Sequence, residues 1–382
     1  MAIKTEFYKG RRKRKSYIIV PVSIAVIVIA AIVVLFYSMQ KYAVITKDDV
    51  AIELPILAKS GESAAEQSEE AMVLESVNAK IVFDQPDYSD LPTLAHTDCK
   101  PVRAIFVPYE NITREKLAEY ADRLNAGNAL VLEMKPRNGS LMWYSTSWAC
   151  RNYGLSVESE TTLNIQSYID MLKERDVYLV AQISCCVDGR YSTFSTSVAL
   201  RNSIGINYAN DTGYWLDPYN QRVRDYVVEM CQELYAMGFD EVVLADLLHP
   251  SEPDIEEDKR TQFVYSTPMS TTPTPHGGVM GFALSVAQRL DDREGALSVY
   301  TYSATSLVKT DTLTGQNAVM FWKLFDRVYY PTDKYAYTFN MEDVGHTLTP
   351  AVAASRFVPV VQNYLPADSE RISWVLIDVE ED

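Results

Sequence analysis

From residue 101 onward, apolar strand-like runs alternate with amphipathic helical patterns. No other feature of the chain restricts its fold so strongly. The strand runs are VRAIFVPY (102–109), NALVLEMKP (128–136), VYLVAQISCC (177–186), FDEVVLADLLHP (239–250), ALSVYTYSA (296–304), RVYYPT (327–332), RFVPVVQNYLP (356–366) and SWVLIDV (373–379). Helices are predicted after Thr113 as N-cap, over Asn164–Arg175, over 221–237 with Gly238 as the stop, and near 277–292 and 314–325. Eight such units predict an α/β fold, a (β/α)8 TIM-type barrel over residues 101–382. A doubly wound open sheet is the competitor. It usually carries a glycine-rich phosphate loop after its first strand, and here that position reads PYENITRE. P-loop, HExxH and GxSxG motifs are absent from the sequence as well.

The N-terminal part has a different character. Residues 17–37, YIIVPVSIAVIVIAAIVVLFY, are uncharged and mostly apolar, long enough to cross a bilayer core as one helix. Arg11, Arg12, Lys13, Arg14 and Lys15 precede the span, so the positive-inside rule predicts a cytoplasmic tail over 1–16. The body is then expected to be extracytoplasmic, in a single-pass cell-membrane protein. Residues 38–100 read as a juxtamembrane segment and stalk. Within them, 42–57 predict a hairpin around Asp48-Asp49, and the Ser-, Glu- and Ala-rich 59–79 predict a flexible linker. Net charge is −16, and residues 1–15 carry +6, so the rest of the chain carries −22. A body this acidic argues against nucleic acid as a partner. The five cysteines show no CxxC spacing, and no metal ligand set or cofactor motif emerges; Cys150 has either Cys185 or Cys186 as a conceivable disulfide partner.

Chemistry in such barrels gathers at the C-terminal strand ends. Those ends supply Glu110, Glu133, Lys135, Asp188, Asp246, His249, Asp333 and Asp378. The long loops add Trp143, Tyr144, Trp148, Tyr191, Tyr214, Trp215 and Asp217. Paired carboxylates among aromatic faces suit glycoside hydrolysis, in which one acid protonates the leaving oxygen and a carboxylate acts as nucleophile or base. Each residue also has a structural reading. Glu133 and Lys135 serve as a mouth ion pair or as a substrate clamp. Asp188 caps a loop or meets a ligand. Asp217 before Pro218 suits a turn, and His249 before Pro250 a loop. Trp143, Trp148 and Trp215 stack on sugar or cover the barrel top.

The stretch 101–382 resembles the putative glycosyl hydrolase domain found in bacterial surface proteins, a barrel related to the alpha-amylase and alpha-galactosidase clans. The resemblance rests on ALVLEMKPRNGSLMW (129–143), VYLVAQISCCVDG (177–189), WLDPYN (215–220), GFDEVVLADLLHP (238–250), VYYPTDKY (328–335) and VPVVQNY (358–364), in this order. It implies an extracytoplasmic barrel with a carbohydrate substrate. Glu133, Lys135, Asp188 and Asp217 match charged positions of the family pattern. Several other positions depart from it. The family's fourth strand, FDEIQFDYxRFP, places its expected nucleophile at Ala245 and its Arg at Leu248. The family's other charged positions fall on Thr301, Asn363 and Gln182.

Asp246 lies one residue beyond the expected nucleophile. Strand alternation would turn it away from the mouth unless a bulge re-aims it. Two expectations follow. One is a membrane-anchored hydrolase of envelope or environmental polysaccharide, with Asp246, Glu133 and Asp188 as the catalytic set. Lys135, Trp143, Trp148, Trp215, Asp217 and His249 would then bind substrate. The other is an inactive barrel that binds glycan or a protein partner. A purely structural barrel, plugged by its own loops, is a third. The sequence leaves the oligomeric state open.

Overall fold

Side chains alternate across each strand of the C-terminal body, and that alternation builds two cores. In the computed structural model the described residues are 43–45, 50–52, 88–124, 128–251, 263–267, 272–332, 348–363, 365 and 369–377. The basic tail, the 17–37 span, the 59–79 linker, Asp333 and Asp378 lie outside them. No helix among the described residues is long and apolar enough to cross a membrane. The chain divides into two units, residues 1–78 and 79–382. In the first, Ala43–Ile45 pairs antiparallel with Val50–Ile52, Ala43 opposite Ile52, as a hairpin around Asp48-Asp49 requires.

In the second unit, eight parallel strands close into a barrel. They are β1 (Arg103–Val107), β2 (Ala129–Lys135), β3 (Tyr178–Ser184), β4 (Glu241–Ala245), β5 (Ala296–Tyr300), β6 (Arg327–Pro331), β7 (Phe357–Gln362) and β8 (Trp374–Ile377). Each strand pairs with the next in sequence, and β8 returns to β1, where Val375 lies level with Ala104. All eight predicted strands are present.

On β2, Leu130, Leu132 and Met134 face outward into the large core beneath the helices, while Ala129 and Val131 face the barrel interior. The interior core adds Val180, Val243, Tyr329, Val358 and Val375 from the other strands. Below it sits a buried polar layer. Glu241 Oε1 accepts hydrogen bonds from Ser298 Oγ (2.6 Å) and Tyr329 OH (2.8 Å), and Oε2 from Arg327 Nη1 (2.5 Å) and Tyr178 OH (3.2 Å). The interior is thus closed at the N-terminal end and opens toward the C-terminal end.

The helices are α1 (Arg114–Asp122), α2 (Trp148–Tyr153), α3 (Glu160–Glu174), α4 (Gly189–Phe194), α5 (Gln221–Ala236), α6 (Pro275–Arg289), α7 (Ala304–Val308), α8 (Ala318–Leu324) and α9 (Pro350–Arg356). Thr113 caps α1 by accepting the Lys116 N–H. Helix α3 starts four residues before the predicted Asn164, because Ser159 and Thr162 form a reciprocal capping box. All five cysteines are free thiols, so Cys150 is bridged to neither Cys185 nor Cys186.

Candidate functional site

The open end of the barrel holds a cavity of about 890 Å³. All eight strands or the residues just after them line it. Phe106 comes from β1, Glu133 and Lys135 from β2, Gln182 and Ser184 from β3, and Ala245 from β4. Tyr300, Tyr330, Gln362 and Ile377 come from β5 to β8, and Arg137, Asp246, Tyr302 and Asn363 from the loops that follow strands. Most are inward positions one or two steps above the apolar interior; Tyr330, Asp246 and Asn363 fall outside the alternation, the last two at left-handed residues. The period of two that packs the barrel therefore also delivers its polar mouth. Tyr300 and Tyr302 stack with ring centroids 5.7 Å apart and an interplanar angle of 16°.

Asp246 faces this cavity. Strand β4 ends at Ala245, whose side chain points inward, and simple alternation would send Asp246 outward. The β3–β4 register runs unbroken from Val180 opposite Glu241 to Ser184 opposite Ala245, so no bulge re-aims it. Instead Asp246 adopts φ 52°, the left-handed region, which turns the carboxylate back into the mouth. That conformation costs a non-glycine residue about 1–2 kcal/mol, and the hydrogen bonds made there offset it. Arg137 Nε donates to Oδ1 and Oδ2 at 3.1 and 3.0 Å, and Nη2 to Oδ1 at 2.7 Å. Ser184 Oγ donates to Oδ2 at 2.7 Å, and the Asp246 N–H donates to Tyr302 OH at 3.0 Å. The carboxylate is nearly buried, while Arg137 is half exposed.

Glu133 and Lys135 both line the cavity, but they have different partners. The β2–β3 register shifts between them: Glu133 lies level with Gln182, Lys135 with Ile183. Lys135 Nζ sits 2.9 Å from Asp188 Oδ2 and donates to the Ser184 carbonyl at 2.6 Å, all of it buried. Glu133 Oε2 accepts the Tyr109 N–H at 3.1 Å. Burial raises the Glu133 pKa above the ordinary carboxylate value. The Tyr109 N–H opposes this, the charges of Glu110 and Asp246 add to it, and Arg137 lowers it. A carboxyl whose pKa is raised in this way is shifted toward the behaviour a general acid needs.

Of the other charged and aromatic candidates from the sequence, those among the described residues lie outside the cavity lining. Asp188 caps α4, accepting the N–H groups of Arg190 (2.9 Å) and Tyr191 (2.7 Å). Asp217 is buried, bound to the Tyr219 N–H and to the N–H and hydroxyl of Ser266, and burial raises its pKa. Trp143 and Trp215 are buried, their Nε1 groups donating to Glu233 and Asn210. Trp148 is 41% exposed on a separate shallow pocket, with the Arg222 guanidinium 5.1 Å from its ring centre.

His249 is buried between the Pro250 carbonyl and Tyr265 OH, and burial pushes its pKa down to about 4. Of the positions that depart from the family pattern, Ala245, Gln182 and Asn363 line the cavity. Thr301 faces away, toward Ser306 and Gln316. Arg137, Ser184 and Tyr302 were not singled out from sequence. Their spacing was the available signal: Arg137 is two residues beyond Lys135, and Tyr302 two beyond Tyr300. Among the described residues, no group of three or more His, Cys, Asp or Glu is placed to hold a metal ion.

The putative glycosyl hydrolase domain family matches residues 104–358, most of the barrel. The chain belongs to this family. No curated protein matches the sequence. Among solved structures, a hypothetical protein from Ruminiclostridium thermocellum aligns at 20% identity with a TM-score of 0.43, over 51% of this chain and 96% of its own. The PgaB (BpsB) glycoside hydrolase domain from Bordetella bronchiseptica aligns at 13% identity and a TM-score of 0.46, over 72% of this chain and 93% of its own. Ega3 from Aspergillus fumigatus, solved with galactosamine, aligns at 9% identity and a TM-score of 0.39, over 77% of this chain and 96% of its own.

Proposed function

We propose that this family member is a membrane-anchored, extracytoplasmic glycoside hydrolase-like barrel that takes a polysaccharide of the cell envelope or environment into its mouth. One observation carries the reading: two carboxyl groups, Glu133 with a pKa raised by burial and Asp246 paired with a guanidinium, share an aromatic-lined cavity at the end of the barrel where chemistry is expected. Glu133, whose environment favours the protonated form, is the proton donor to the leaving oxygen. Asp246, held by a guanidinium, is the charged carboxylate beside the sugar ring. Tyr300, Tyr302 and Phe106 offer apolar faces to the pyranose.

A second reading, glycan binding without hydrolysis, is favoured by the contacts of Asp246. Arg137 and Ser184 engage both of its oxygens, and a nucleophile must have a free one. The anchor is supported by the apolar 17–37 run and the basic cluster before it.

The test uses the full chain in detergent and measures reducing-end release from a panel of bacterial and plant polysaccharides. Release by the wild type, lowered about 100-fold or more in Glu133→Gln and in Asp246→Ala, is the expected result. Binding to a polysaccharide with no release from any, by protein that circular dichroism shows to be folded, would replace hydrolysis with binding.

A further inference from the structure

The contacts of Asp246 suggest a role for Arg137 that does not depend on bond cleavage. A carboxylate offers about four lone-pair positions. Arg137 and Ser184 make four hydrogen-bond contacts to Asp246, two on each oxygen. The single Nε–H is shared between the two oxygens, so at most three hydrogens hold the carboxylate, and their effect is to fix the guanidinium in one plane. The contact uses the Nε–Nη2 edge of Arg137, which leaves the Nη1 side of the fork directed away from the carboxylate. Tyr302 lies against the same guanidinium and also takes the Asp246 N–H, which ties the pair to the segment just after β5. Arg137 is half exposed, and it lines the cavity.

A second observation comes from β3. Gln182 lines the same cavity, and its Oε1 is buried with no hydrogen-bond partner in the protein. A buried acceptor left unpaired costs about 1–3 kcal/mol, and a turn of the Gln182 side chain toward the cavity it lines would let a ligand hydroxyl satisfy it. Guanidinium N–H donors and a bare amide acceptor around a cavity walled by stacked tyrosines match what a sugar ring carries. Each ring hydroxyl accepts one hydrogen bond and donates another, and the ring faces are apolar.

We propose that Arg137 and Gln182 form a hydroxyl clamp in the mouth, Arg137 donating to one hydroxyl of a pyranose and Gln182 accepting from another, with Asp246 as the residue that orients Arg137. The clamp rests on the glycan reading of this cavity but not on hydrolysis. It also assigns a use to Gln182, which stands at one of the charged positions of the family pattern.

The experiment is calorimetric titration of the full chain in detergent with cellohexaose, chitohexaose and maltohexaose. The best ligand is then compared with its monodeoxy derivatives. Wild type, Arg137→Lys, Arg137→Gln and Tyr302→Phe are measured, the last loosening the guanidinium without removing its charge. The clamp predicts that Arg137→Gln weakens binding about tenfold or more, that Arg137→Lys recovers part of the loss, and that Tyr302→Phe falls between wild type and Arg137→Gln. It further predicts that one deoxy derivative binds the wild type about tenfold more weakly than its parent but binds Arg137→Gln equally well. A merely structural arginine would lower affinity for parent and derivative alike, and that result overturns the clamp. So does unchanged affinity in Arg137→Gln, while leaving the glycan reading intact. No binding of any hexasaccharide to the wild type at millimolar concentration would overturn the glycan reading, and the clamp with it.

Discussion

His249 is neutral because of where its ring is held. Burial removes the water that would solvate an imidazolium; the Pro250 carbonyl favours the charged form but recovers only part of that loss. Its pKa falls from 6.5 to about 4 on folding. The unfolded chain then binds more protons between those values, so the associated stability is fully present above pH 6.5 and lost as pH falls toward 4. A shift of this size corresponds to roughly 3 kcal/mol. His249→Gln keeps polar atoms near Pro250 and Tyr265 but cannot be protonated in this range. Its urea midpoint is expected to stay flatter than that of the wild type from pH 7 to pH 4. Two parallel profiles would show that the penalty lies elsewhere. Asp246 shows why single side chains at the mouth are hard to read from sequence. The rule of alternation holds through Ala245 and fails at the next residue, where the backbone turns left-handed. Nothing in the string LADLL announces that turn. Glu133 was legible, because it continues the inward series Ala129, Val131 along an unbroken strand.

At the scale of elements, the end of β2 and the start of α4 are joined through one buried pair. Asp188 accepts two N–H groups at the first turn of α4 and faces Lys135 across 2.9 Å. Removing either charge alone strands the other away from water, at a cost of about 3–5 kcal/mol. Lys135→Met is expected to lose that much. Asp188→Asn keeps a capping side chain, since Asn caps nearly as well as Asp, yet still leaves Lys135 unpaired. The double variant Lys135→Met, Asp188→Asn removes both charges and retains the cap, so it should regain most of the loss. A double-mutant cycle in urea measures the coupling; additive losses would mean that the pair contributes little.

This pairing was hidden in the sequence, where Lys135 has Glu133 two residues away and Asp188 more than fifty. The strands themselves were legible as short, mostly apolar runs. So were the helix starts with a cap and enough turns behind it, such as Thr113 before α1. Helices α2, α4, α7 and α9 were not, because five to seven residues make fewer than two turns; α8, as short, was anticipated only within the longer predicted stretch 314–325.

At the scale of the whole molecule, the barrel separates what closes it from what it does. The polar layer around Glu241 draws side chains from β3, β4, β5 and β6 to the interior of the N-terminal end. Arg327 extends it outward, donating to the carbonyls of Lys100 (2.8 Å) and Ser355 (3.2 Å). Between this layer and the mouth lies the apolar interior of Val131, Val180, Val243 and Val358. Arg327→Met leaves Glu241 buried without its countercharge, at a cost of about 3–5 kcal/mol. In a domain of this size that lowers the melting temperature by roughly 10 °C. The strands form one closed hydrogen-bonded ring, so the loss is expected as a shift of the whole cooperative transition rather than as local fraying. The mouth should hardly register it. At a temperature where the variant is folded, its affinity for a hexasaccharide ought to match that of the wild type within a factor of two. Scanning calorimetry and glycan titration on the same sample check both halves. A variant that melts early and also loses its glycan would show that the polar layer shapes the mouth through the valine core. Equal affinity would mean that stability and recognition occupy opposite ends of one barrel, each open to substitution without the other.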